Sequence, residues 1–189
     1  EVIASRGDQL ITFDLPAHGD RQDDKAFNAM IASSEVKAFA QLARSQSTDV
    51  SLLASSIGVY FSLCDTPVGA FERAWLVSPL IDLEDYIRDV MAEYSVTDEQ
   101  LETATVIDTP RAVLEWPYLR FVVEHPARLE IPSWTIRGDQ DEVVPLETLN
   151  RFVSAPDFEL VQIEGGRHFL GQPPHLDAVI KWFEERYAA

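Results

Sequence analysis

A chain of 189 residues with 46% hydrophobic and 25% charged side chains carries enough apolar material for one continuous core, which excludes disorder. Its 32 acidic against 15 basic residues give a formal net charge of -17, the wrong sign for a nucleic-acid partner or an anionic membrane surface. The longest apolar run, around residues 50–64, is broken by serines and falls short of the roughly 18 residues a spanning helix needs, and the single cysteine, Cys64, excludes an internal disulfide or thiolate metal cluster and fits a reducing, cytoplasmic compartment.

In chain order, "EVIASRG" reads as a helix tail closed by Gly7, and "QLITFDL" as a strand. Residues 26–44 carry Val36, Phe39, Ala40 and Ala43 on one helical stripe, and "VSLLA" is a strand leading into a helix over 57–64. "RAWLVSPL", "SWTIRG" and "FELVQIEG" are further strands, and His175–Tyr187 closes the chain as a helix with Leu176, Val179, Ile180 and Phe183 on one face. Strands separated by helices require crossover connections, so the class is α/β, a mostly parallel sheet flanked by helices. Residues 81–130 interrupt the alternation with no strand signal. Because an unstructured loop of that length is improbable, and "TDEQ" at 97–100 is a capping box, they are expected to form a helical cap inserted into a core of residues 1–80 and 131–189.

"ASSIG" lies where a strand gives way to a helix. A nucleophile on such a turn needs small residues two before and two after it. Centred on Ser55 those positions are Leu53 and Ile57; centred on Ser56 they are Ala54 and Gly58, which selects Ser56. The bland reading is that both serines only cap the helix. A serine nucleophile also needs a base and a carboxylate to orient it. His168 lies just beyond the last strand and Asp141 just after "SWTIRG", both at carboxyl ends of strands, where open α/β sheets collect their sites.

The segments "FDLPAHGDR", "ASSIGVYFS", "LVSPLIDL", "IRGDQDEVVP" and "GGRHFL", with the order Ser, Asp, His, resemble the α/β-hydrolase superfamily over nearly the whole chain, and more narrowly a group of small bacterial hydrolases with little assigned biochemistry. The resemblance implies Ser56 as nucleophile, His168 as general base and acid, Asp141 as the orienting carboxylate and the Ile57 amide as an oxyanion donor. The family spacing G-x-x-D from Gly138 favours Asp141, with Asp139 and Asp82 as the competing acids. The second oxyanion donor sits, in that superfamily, in a His-Gly loop after a third strand. This sequence begins too late to contain it, so N-terminal strands are expected to precede Glu1.

Among the other histidines, His18 is implied to be a loop residue whose turn Asp14 and Arg21 fix, His125 ends the cap and His175 opens the last helix. Cys64 is expected to pack in the core. Scattered histidines, and acidic runs such as "GDRQDD" that read as solvated loops, make no metal site. No P-loop or dinucleotide fingerprint is present, so no cofactor is expected. The expected function is a serine hydrolase of a small carboxylic ester or thioester, with Tyr86, Trp116 and Tyr118, and beside them Met91, Tyr94 and Phe121, roofing an acyl pocket or simply forming the cap's own core. The rival readings are a peptidase or amidase of the same fold and a non-catalytic binding protein.

Overall fold

Four parallel strands, β1 (Ser51–Ser55), β2 (Arg73–Val77), β5 (Ser133–Gly138) and β6 (Phe158–Ile163), lie side by side in that order, so each chain crossover steps one strand further across the sheet. The structure is a computed structural model that describes residues 2–16, 18–22, 29–151 and 157–188. The helices are α1 (Val2–Ser5), α2 (Ala29–Gln46), α3 (Ile57–Leu63), α4 (Leu83–Glu93), α5 (Asp98–Ala104), α6 (Trp116–Glu124), α7 (Leu146–Asn150) and α8 (His175–Ala188). Two three-residue strands, β3 (Val106–Asp108) and β4 (Val113–Glu115), pair antiparallel.

The strands alternate faces, and the two faces bury different things. Ala74 and Leu76 of β2 enter the main core with Val59, Tyr60 and Phe61 of α3 and Ala32 and Ala40 of α2. Trp75 and Ile136 point the other way, where Trp182 of α8 covers them and Val179 and Phe183 pack alongside; of the face expected from the period of the last helix, Ile180 instead stays 47% exposed, because the helix turns Trp182 inward. The Trp75 ring stacks on Trp134 at 5.3 Å and meets Phe183 edge-on at 5.7 Å. Ion pairs such as Arg44–Glu72 and Arg73–Asp49 are half exposed, worth about 0–1 kcal/mol each, so the two apolar faces decide stability.

The sequence elements fall largely where their patterns place them. Gly7 closes α1 at φ +82°, its N–H bonded to Ala4 O at 3.1 Å. The capping box forms reciprocally: Gln100 N–H donates to Thr97 Oγ1 at 3.2 Å, and Thr97 N–H to Gln100 Oε1 at 2.8 Å. Residues 26–28 of the predicted second helix, and Asp23 and Asp24 of the acidic run, lie outside the described residues. The strand read from "QLITFDL" does not form. A strand exists only through a hydrogen-bonded neighbour, and residues 8–15 join no ladder, although β1 is an edge among the described residues; Leu10 stays 60% exposed. The segment is tied down by side chains instead: Tyr187 donates its hydroxyl to Asp8 at 2.6 Å, and Phe13 stacks on Phe39 at 3.8 Å.

Residues 81–130 hold α4, α5, the β3–β4 hairpin and α6. The hairpin was not expected, because three-residue strands are shorter than the 4–8 residue runs that alternation reveals. Among the described residues no helix is long and apolar enough to cross a membrane.

Candidate active site

The carboxyl ends of the four strands share one rim, and three backbone bonds carry the ladder past the strands into the loops there: Ser56 N–H to Val77 O at 2.9 Å, Ser78 N–H to Ile136 O at 2.8 Å and Asp139 N–H to Ile163 O at 3.0 Å. Ser56 occupies the turn between β1 and α3 at φ 50°, ψ -129°, a region that costs a non-glycine residue about 1–3 kcal/mol. Its side chain makes no capping bond to α3. It points instead to His168, with Oγ 2.7 Å from Nε2, across 112 residues of sequence. Ser55 remains the last residue of β1. The steric reason for a small residue at Gly58 does not hold here, since a Cβ there would meet nothing within 4 Å.

His168 is 3% exposed, and its Nδ1 lies 3.0 and 3.1 Å from the two carboxylate oxygens of Asp141. An ionised carboxylate only accepts, so Nδ1 carries the hydrogen that faces Asp141, and in the tautomer with its single hydrogen there Nε2 is left to accept the Ser56 hydroxyl. Asp141 Oδ1 also accepts the N–H groups of Val143 and Val144, each at 3.0 Å. Burial is the largest single influence on this carboxyl and pushes its pKa up. The His168 hydrogen bond, the Val144 amide, the charge of the imidazole and the Val143 amide together outweigh it and hold the pKa below the ordinary value. A depressed carboxyl contributes stability that is present above the unfolded value, about 3.9, and lost as pH falls from there through the lower folded value. Thermal melts taken across acidic pH are therefore expected to fall more steeply for the wild type than for Asp141→Asn below about pH 4.

The competing acids are held elsewhere. Asp139 Oδ1 accepts Gly165 N–H at 2.8 Å, pinning the loop that carries His168 without touching the imidazole. Asp82 is the N-cap of α4, accepting Asp85 N–H at 2.9 Å, with Arg151 3.8 Å away. Asp82→Ala is expected to cost about 1 kcal/mol in a denaturant melt, as a lost N-cap, while leaving the chemical reactivity of Ser56 unchanged. A reactivity loss as large as that of Asp141→Asn would make Asp82 the acid instead.

The other residues singled out in the sequence have structural partners. His18 Nδ1 donates to Pro16 O at 2.9 Å, and Arg21 donates to Asp14 O at 3.0 Å while pairing with Glu35. His125 Nδ1 donates to Phe121 O at 2.9 Å, and Tyr60 donates its hydroxyl to His125 O at 2.9 Å. His175 is the first residue of α8. Cys64 packs against the main core, and burial pushes its thiol pKa up to about 11. Tyr86 lies under the Arg111 guanidinium at 4.9 Å, Trp116 under Arg120 at 5.9 Å, and the buried Tyr118 hydroxyl has no partner among the described residues. These three rings pack on the main core. A groove of about 530 Å³ beside α5, lined by Tyr94, Val96, Glu99 and Ile107, shares no residue with the Ser56–His168–Asp141 chain.

The Ile57 N–H, first of α3, meets no acceptor among the described residues. Among them no cluster of three or more His, Cys, Asp or Glu side chains is arranged to hold a metal ion. Phe169 was not singled out from the sequence. It is 82% exposed, and its ring stands edge-on to the imidazole at 4.9 Å. His168 and Leu170 on either side of it are both buried, and the residues form no strand, so no periodicity in the sequence marked it.

No protein-family model matches the chain, and no curated protein matches it by sequence. Solved structures do match. Alpha/beta hydrolase domain-containing protein 10 from mouse superposes with a TM-score of 0.74 at 16% identity, covering 99% of this chain and 80% of its own. A chain of Agrobacterium vitis S4 described as a hydrolase gives 0.69 at 18% identity, covering 99% and 78%. Est1E from Butyrivibrio proteoclasticus, in its complex with ferulic acid, gives 0.65 at 20% identity, covering 93% and 76%. The chain has the α/β-hydrolase fold.

Proposed function

We propose that this chain is a serine hydrolase that cleaves a carboxylic ester or thioester through an acyl-enzyme intermediate. The observation that carries the reading is the unbroken hydrogen-bonded path from Ser56 Oγ through both imidazole nitrogens of His168 to a buried Asp141 carboxylate. A strained serine that forgoes the helix cap beside it and spends its hydroxyl on a buried imidazole has the geometry of an activated nucleophile.

In the first step Ser56 Oγ bonds to the substrate's carbonyl carbon and its proton passes to His168 Nε2. The carbonyl oxygen takes the negative charge, where the Ile57 N–H is free to donate to it. Asp141 holds the imidazole in register and offsets the positive charge the ring acquires. When the tetrahedral adduct collapses, the bond to the leaving oxygen or sulfur breaks, and His168 returns the proton to that atom. Water then attacks the acyl carbon as His168 Nε2 takes its proton; the bond from that carbon to Ser56 Oγ breaks, His168 returns the proton to Oγ, and the acid leaves. Phe169 at the mouth of the site and the aromatic rings of residues 81–130, which this reading makes a cap, supply an apolar setting for the acyl or alcohol group.

A fluorophosphonate probe tests the reading without knowledge of the substrate. Stoichiometric labelling that peptide mapping places on Ser56, with turnover of nitrophenyl esters over a range of acyl lengths, is the expected result. An unlabelled protein, or label on another serine, overturns it. Release from aminoacyl amides in preference to esters would assign an amidase of the same fold.

A further inference from the structure

Arg137 is the fifth residue of β5, a position where a soluble parallel strand ordinarily carries an apolar side chain. It is 3% exposed. Burying a cation costs several kcal/mol unless a carboxylate or a full set of hydrogen bonds offsets it. Its acceptors among the described residues are all neutral: Val144 O at 2.8 Å and Asp141 O at 3.4 Å from Nη2, and Gln162 Oε1 at 3.5 Å from Nη1, while Nε has none. Gln162 is its cross-strand partner on β6, so the guanidinium is steadied from the sheet while it reaches up into the loop.

Which carbonyls it reaches is informative. Asp141 O and Val144 O bracket the short bend that comes after the Asp139–Gln140 turn closing β5. Between them lie the two amides, of Val143 and Val144, that grip Asp141 Oδ1, the oxygen 3.0 Å from His168 Nδ1. One terminal nitrogen of the guanidinium, Nη2, thus bridges the two ends of the segment that aims the carboxylate, while Nη1 is anchored on Gln162. We propose that Arg137 is a positioning residue, whose guanidinium holds both ends of the Asp141–Val144 turn and through it sets the carboxylate that orients His168. As a catalytic role this rests on the hydrolase reading; as a statement about the turn it does not. The same cation replaced by a hydrophobe of similar length leaves the core volume nearly filled but releases both carbonyls, so the loss falls on geometry at the site more than on packing.

The experiment compares wild type, Arg137→Met, Arg137→Lys and Trp182→Leu, the last a core truncation on the α8 face away from this turn. Three quantities are read: kcat and KM on an ester, hydrogen exchange at the Val143 and Val144 amides, and the far-downfield proton resonance of His168 Nδ1. Arg137→Met is expected to lower kcat about 100-fold with KM unchanged, the cost of misplacing a catalytic group by an ångström or so. It is also expected to speed exchange at both amides and to shift or broaden the imidazole resonance. Arg137→Lys, with a flexible ammonium in place of the planar guanidinium, recovers part of each and carries the test if the methionine variant does not fold. Trp182→Leu lowers Tm but moves none of the three. The proposal is overturned if Arg137→Met keeps the resonance and the slow amides, or if Trp182→Leu at equal loss of Tm reproduces the same changes. A wild type that turns over no ester would sink the hydrolase reading alone, since the exchange rates and the resonance decide on Arg137 without turnover.

Discussion

Ser56→Ala abolishes fluorophosphonate labelling and lowers ester turnover about a million-fold, the scale seen when a triad serine is removed. The residual rate comes from binding and from whatever amides face the oxyanion, so it stays above that of water. Stability should fall only modestly, with the variant still fully folded at the assay temperature, which separates it from one that has merely unfolded. Ser56 Oγ gives α3 no capping bond to lose, and the backbone strain at φ 50° is the same for alanine as for serine. What is lost is a single hydrogen bond to His168 Nε2, a matter of about 1–2 kcal/mol for a buried acceptor left unpaired. Intact-protein mass after probe treatment, rates on a short-chain ester and a thermal melt check all three points. A variant that keeps labelling, or one that loses it only by melting at the assay temperature, would remove Ser56 from the chemistry.

Ser56, Asp141 and His168 could be picked from the sequence because each sits one short step past a strand, and parallel strands deliver those steps to a single rim. Local pattern suffices for that. It does not suffice for what holds the three at hydrogen-bonding distance. The Asp139 bond to Gly165, the Arg137 Nη2 bonds to Asp141 O and Val144 O and the contact of Gly138 with Gly166 join residues that are remote in sequence or fold back across a turn, and no periodicity encodes them. In "GDQDE" only the family spacing from Gly138 favoured Asp141 over Asp139; the structure shows Asp141 accepting from the imidazole and Asp139 from a backbone amide of the neighbouring loop. The failure at "QLITFDL" has the same origin in reverse: alternation announces a face, whereas a ladder requires a partner that residues 8–15 do not find. The helix α7 was missed because five residues are too few to show a period.

Gly138→Ala is the second large effect, and it acts through the backbone. A Cβ at residue 138 would lie 2.0 Å from Gly166 O, 2.2 Å from Gly166 C and 2.6 Å from Arg167 O, all main-chain atoms immediately before His168. An ordinary contact begins at 3.4 Å, so the loop bearing Asp141 and the loop bearing His168 must separate by about 1.4 Å. That separation strains the bonds from Asp139 N–H to Ile163 O and from Gln140 N–H to Gly166 O, at 3.0 and 2.9 Å, and the Asp139 carboxylate's hold on Gly165 N–H. Overpacking of this kind costs about 3 kcal/mol, and at 2–4 °C per kcal/mol for a chain of this size Tm should fall by roughly 10 °C. Activity falls further than stability. The same displacement opens the Asp141–His168 contact, for which a loss of about 100-fold or more in kcat is expected at temperatures where the variant is fully folded. Gly171→Ala, three residues past His168 and with nothing within 4 Å of the added carbon, is the matched control and should leave both Tm and kcat unchanged. If Gly138→Ala behaves like that control, the two loops are not clamped as described, and the Asp141–His168 distance must be maintained by the Arg137-braced turn alone.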